Sequence, residues 1–253
     1  MELHVQEYGE GSPLLILHGL FGASDNWHSL AQRFGAFFHV FSLDLRNHGK
    51  SPWNEDNSYA AMGEDVHAFM LSKNLNKVIL LGHSMGGKVA MHVAQKYPEF
   101  LSKIVVADMG IKAYPMHHQH ILAGIHALPL AELSSRSEAE ALLKTHVENA
   151  GIRQFILKNL YWKEKGKLAW RMNVDVLEKE MPKILSALPL QECWTPALFL
   201  RGELSNYILP EDIPSIEALF PDASIETLSN SGHWLHAEQP DAFFDAVMRF
   251  CLR

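Results

Sequence analysis

The sequence predicts an α/β protein: a mostly parallel sheet with helices on both faces and an inserted helical segment. Short, wholly apolar runs alternate with longer helical patterns along most of the chain. These runs lack the polar alternation of a half-exposed strand, which suits strands covered on both faces. A third observation is the break in this rhythm over residues 111–190, which hold helical patterns and no buried strand. At 253 residues the chain fits one large domain of this class.

The elements follow in order. LHVQEY (3–8) alternates like an edge strand. LLILH (14–18), HVFSLD (39–44), VILLG (78–82), IVVAD (104–108) and LFLRG (198–202) read as buried strands. Amphipathic helices are predicted over 59–73 and 86–97, the second stopped by Pro98. SIETLS (224–229) is a last strand, and 240–251 a closing helix opened by Pro240. Such alternation gives an open parallel sheet. Within 111–190, Ser137 with Glu140 three residues on predicts a capped helix start. Ile152, Phe155, Ile156 and Leu160 share one face of the next helix. The expected organisation is a core of 1–110 and 191–253 with residues 111–190 as a helical cap. Its position in the chain suits a lid over the sheet's carboxyl edge, where ligands bind in such folds.

Composition narrows the function. A formal charge of −7 and the lack of a Lys/Arg cluster argue against a nucleic-acid partner. Cys193 and Cys251 are far apart and form no C-x-x-C pattern, which suits reduced thiols. No basic-then-apolar leader opens the sequence and no apolar run is long enough to span a bilayer. The expectation is a cytoplasmic protein, a monomer or small homo-oligomer, acting on a small molecule.

GHSMGG (82–87) carries the chemistry. G-x-S-x-G by itself is a weak signal, but here a strand precedes it and a helix follows. That is the context of a nucleophile elbow, a sharp turn that lifts a serine Oγ above the sheet. Ser84 is the candidate nucleophile. Acyl transfer also needs two backbone N–H groups aimed at the developing oxyanion. Met85, directly after the serine, supplies one. The loop after LILHG supplies the other, with Leu20 preferred over Phe21.

The general base is sought among fifteen histidines. His117, His118 and His120 in MHHQH lack an accompanying acid or thiol at metal-ligand spacing and read as a solvated face. His18 reads as structural, and His83 is expected to point away from Ser84. NSGHWLHAEQP (230–240) follows the last strand, so it emerges at the sheet's carboxyl edge; His233 is preferred as base, with His236 a packing residue. The acid is less apparent. The loop after LFLRG reads Gly202-Glu203-Leu204-Ser205, with a serine where Gly-x-x-Asp would place a carboxylate. Glu203 and Asp108, the latter at the tip of the strand after the serine strand, stay as alternatives. Asp108 is preferred because a buried unpaired carboxylate is costly.

HGLFG, DNW (25–27), DLRNHGKSP (44–52), GHSMGGK (82–88) and GHWLHAEQP (232–240) together resemble the α/β-hydrolase family, and within it the YbfF-like esterase branch. The resemblance runs over essentially the whole chain. It implies the α/β-hydrolase fold, a Ser84–His233–Asp108 triad, and action on esters or acyl thioesters, acyl-CoA included. In ADMG (107–110) the residues after Asp108 depart from the more apolar run of relatives, which leaves the cap entrance open. The sequence-level reading is a serine esterase or thioesterase needing no metal or organic cofactor. Phe21, His83, Met116, Phe155, Leu160, Tyr161, Trp162 and Trp234 are its candidate pocket residues. A C–C hydrolase or lyase on the same scaffold, or a silent receptor, are the alternatives. Haloalkane dehalogenase and epoxide hydrolase chemistry are disfavoured, because both need a carboxylate where Ser84 stands.

Overall fold

A computed structural model describes residues 1–189 and 191–253. Residue 190, the last of the predicted cap, lies outside them. The main sheet is seven-stranded. Its strands are β1 (Val5–Tyr8), β2 (Pro13–Leu17), β3 (His39–Leu43), β4 (Val78–His83) and β5 (Leu101–Ala107). A separate hairpin, β6 (Leu160–Glu164) and β7 (Lys167–Trp170), precedes the last two sheet strands, β8 (Ala197–Gly202) and β9 (Ala223–Leu228). The order is β1-β3-β2-β4-β5-β8-β9, with β1 antiparallel at one edge and every other sheet pairing parallel. The predicted edge strand is thus at an edge.

The apolar runs explain themselves in the two-sided core. Leu15, Leu17, Leu80, Ile104 and Val106 bury on one face, and Leu14, Ile16, Ile79, Leu81 and Val105 on the other. Every residue of β4 is buried, as its position in the middle of the sheet requires. Helices Tyr59–Ser72 and Met85–Lys96 cover the first face, and His28–Phe34 and Pro240–Cys251 contribute to the second.

The segment between β5 and β8 departs from the expected all-helical pattern. Helices Gln119–His126, Arg136–Leu143 and Ala150–Leu157 are followed by the β6–β7 hairpin. Leu160 therefore opens a strand rather than closing a helix. Lys158 and Asn159 end the helix, and the Arg171 N–H closes the hairpin onto the Asn159 carbonyl (2.9 Å). The capped start also shifts: Ser135, not Ser137, accepts the Glu138 N–H (3.2 Å), while the Glu138 carboxylate accepts the Ser134 N–H. The side chains of Ile121, Leu143, Ile156, Leu160 and Leu168 in this segment join the apolar cluster on the first face of the sheet. No described helix is long and apolar enough to cross a membrane.

Candidate active site

Ser84 sits between β4 and the helix Met85–Lys96 with φ 53° and ψ −118°, a left-handed conformation that costs a serine energy. Two glycines make the turn possible. A Cβ on Gly82 would collide with the Gly86 carbonyl, and one on Gly86 with the carbonyls of Leu17 and His18. The Ser84 N–H donates to the Ala107 carbonyl (3.0 Å) and the Asp108 N–H to that of Leu200 (2.7 Å). Sheet pairing thus continues one residue past β4 and β5, and brings both residues to the same carboxyl edge. Asp108 also has positive φ, 49°.

His233 reaches them from the loop after β9. Its Nδ1–H donates to Asp108 Oδ2 (2.8 Å), and its Nε2 faces the Ser84 hydroxyl (3.0 Å). Asp108 is fully buried, and it also accepts the Gly202 N–H at Oδ1 (3.0 Å) and the Ser205 hydroxyl at Oδ2. Ser205, where a Gly-x-x-Asp motif would carry its acid, therefore holds the carboxylate that stands elsewhere. Glu203 is committed to the Asn230 N–H (2.8 Å) and braces the loop that carries His233. The loop is fastened further by Leu204 N–H on the Ser231 carbonyl and by Gly232 N–H on the Glu238 carboxylate.

Two buried histidines pin the backbone of the loops after β2 and β3. His18 accepts the Leu45 N–H at Nε2 (3.0 Å), and His48 accepts the Phe21 N–H at Nε2 (3.2 Å). Burial, aided by the neighbouring His18, pushes His48 down to about 3, so its Nε2 stays free to accept. The Phe21 N–H is thus occupied, and Leu20 beside it lines the cavity over Ser84. Phe21 has φ 61°, and its carbonyl is held by the Asn159 amide (2.7 Å).

His83 departs from the sequence expectation. Its ring does not turn away from the site: Nε2–H donates to the His233 carbonyl (2.8 Å) and the ring lines the cavity over Ser84. Burial holds His83 well below the usual histidine range. His236 stacks on Trp27 (centroids 4.3 Å apart), and burial pushes it down to about 3.

The cavity over Ser84 has a volume of about 190 Å³. Phe21, Phe155 and Trp234, named as pocket candidates in the sequence, line it, and His83 does so although its ring was also expected to point away from Ser84. The other four candidates do not. Met116 is exposed and lies outside the lining. Hairpin geometry removes the rest: Leu160 is buried in the core, the Tyr161 ring packs under the Arg171 guanidinium (4.9 Å), and Trp162 faces solvent. In their place stand Ile121, Ile152, Ile156 and Tyr207, together with His117, His118 and His120. The three histidines thus contribute to a cavity wall, with His117 and His118 partly buried and His120 still exposed to solvent. Tyr207 stacks on His233 (centroids 3.8 Å, planes 12° apart). With His117 Nδ1–H on the Pro115 carbonyl (2.7 Å), the Tyr207 hydroxyl donates to His117 Nε2 (2.6 Å). Ile152 and Ile156 were legible as neighbours of Phe155 on one helix face. Tyr207 carried no sequence signal.

A family model for the alpha/beta hydrolase fold matches residues 12–130. The sn-1-specific diacylglycerol lipase ABHD11 of Mus musculus is 39% identical over 248 residues, covering 94% of this chain and 80% of that protein. Esterase YbfF of Escherichia coli is 33% identical over 246 residues, covering 97% and 95%. Among solved structures, a marine microorganism esterase superposes with a TM-score of 0.96 at 41% identity, covering 98% of this chain and 99% of that one. With this sheet order and this identity over nearly its whole length, the chain belongs to the α/β-hydrolase family.

Proposed function

We propose that the protein is a serine hydrolase of carboxylic esters, acting through an acyl-serine intermediate. The observation that carries this is the hydrogen-bonded chain Ser84 Oγ–His233–Asp108, at 3.0 and 2.8 Å, on the floor of a largely apolar cavity. Ser84 Oγ attacks the substrate carbonyl carbon while its proton passes to His233 Nε2. The Leu20 and Met85 N–H groups hold the oxyanion, a contribution of about 3–4 kcal/mol per donor in comparable sites. Collapse expels the alcohol, which takes the proton from His233. Water then attacks the acyl-serine, gives a proton to His233 and releases the acid, and the proton returns to Ser84. Asp108 keeps the imidazole in the required tautomer and balances its transient charge. An alcohol and a thiol leave by the same route, so the reading covers thioesters, acyl-CoA included. The relatives named esterase and diacylglycerol lipase support ester hydrolysis. A fluorophosphonate probe should label wild-type protein stoichiometrically and Ser84→Ala not at all. Folded protein that neither takes the label nor turns over p-nitrophenyl esters would sink the proposal.

A further inference from the structure

The free space beside Ser84 is divided. The outer cavity of about 190 Å³ shares Ile152, Phe155 and Trp234 with an adjoining groove of about 420 Å³. A second, inner chamber of only about 20 Å³ lies against the same serine. Leu20, Ser84, His118 and Tyr207 line both spaces, so the hydroxyl stands at their junction. His233 and Trp234 line the outer one and not the inner. Met85 and Met109 line the inner one and not the outer.

The proposed chemistry assigns the two spaces. A leaving group must collect a proton from His233 Nε2, so it lies on the side that His233 lines. The oxyanion points to the Leu20 and Met85 N–H groups. The acyl substituent takes the remaining direction, into the chamber that Met85 lines. A space of this size takes about one water-sized group. We infer that the enzyme acts on esters of very short acids, acetyl or propionyl, whose larger apolar alcohol part fills the outer cavity and groove. This rests on the Ser84–His233 reading above.

The inner walls are tied in place. The Tyr59 hydroxyl donates to the Ile184 carbonyl (2.6 Å). Tyr114 accepts the Gly110 N–H (2.8 Å) and donates to the Tyr207 carbonyl (2.9 Å), while its own N–H holds the Leu185 carbonyl (2.8 Å). Widening the chamber for a longer chain would break these hydrogen bonds. Met109, unbranched and buried, is the wall most simply shortened.

Two ester series test this on the whole protein: p-nitrophenyl esters from acetyl to octanoyl, and acetates from ethyl to octyl. We expect kcat/KM to fall at least about ten-fold between propionyl and hexanoyl, and to hold or rise along the acetates. Met109→Ala should raise kcat/KM for hexanoyl relative to acetyl by about ten-fold, and Ile184→Ala serves as a second opening of the same chamber. Octanoyl esters cleaved as well as acetyl, or a falling acetate series, overturns the inference, as does an unaltered acyl profile in a folded variant. The wild-type profiles decide alone if neither variant folds. Fluorophosphonate labelling separates the failures. A labelled enzyme preferring long acyl chains refutes only the chamber assignment, whereas an unlabelled, inactive one refutes the serine reading and this inference with it.

Discussion

Asp108 is held by three donors at once: His233, the Gly202 N–H and the Ser205 hydroxyl. If its role is to orient the imidazole, Asp108→Asn should lower kcat by about three to four orders of magnitude with substrate binding little changed. Glu203→Gln should stay near wild type, because that carboxylate braces Asn230. The reverse pattern in steady-state kinetics would move the acid to Glu203. Ser205 is a positioning residue. Removing one hydrogen bond to a charged group costs about 1.5–3 kcal/mol, so Ser205→Ala should lower kcat by about ten- to a hundred-fold and leave KM nearly unchanged. Both candidate acids were visible in the sequence. The choice between them turned on a distance, because β5 and β8 pair in parallel and their tips come together only in the folded sheet.

At the scale of elements, the strands and flanking helices were legible because continuous apolar runs leave a buried parallel strand little other reading. The inserted segment was less so. Leu160, Tyr161 and Trp162 fit a helical face, yet the Arg171 N–H on Asn159 and the β6–β7 ladder make a hairpin there. Local apolar spacing does not separate a short strand from the end of a helix. The same junction ties the inserted segment to the sheet, since the buried Asn159 amide holds the Phe21 carbonyl in the loop after β2 (2.7 Å). Asn159→Ala should lower stability by about 1–3 kcal/mol, read as a urea midpoint, and slow turnover by disturbing Leu20. Unchanged stability and kinetics would show the two elements to be independent. In the elbow, Gly86→Ala should abolish activity or folding, because its Cβ would meet two carbonyls that belong to backbone.

Across the whole molecule, several histidines are buried without their charge. Burial pushes His48 and His236 each down to about 3, below the unfolded value near 6.5. In that window the unfolded chain binds more protons, so stability present above about pH 6.5 is lost as pH falls toward 3. Each histidine should remove about 2 kcal/mol between pH 7 and pH 5. His236→Phe, which keeps a ring against Trp27, should flatten the stability–pH curve by about one proton. Urea titrations across that range check this, and a curve as steep as wild type would count against it.

The sequence by itself determined the α/β class, the family, the serine turn and the loop from which the histidine comes, because strand burial and a crowded glycine turn are local demands. Tertiary structure decided which carboxylate meets His233, that Ser205 supports it, and that the histidines of MHHQH wall a cavity. It also decided which aromatic residues face that cavity. These depend on strand order and on where the inserted segment packs back on the sheet, and neither is written in local periodicity.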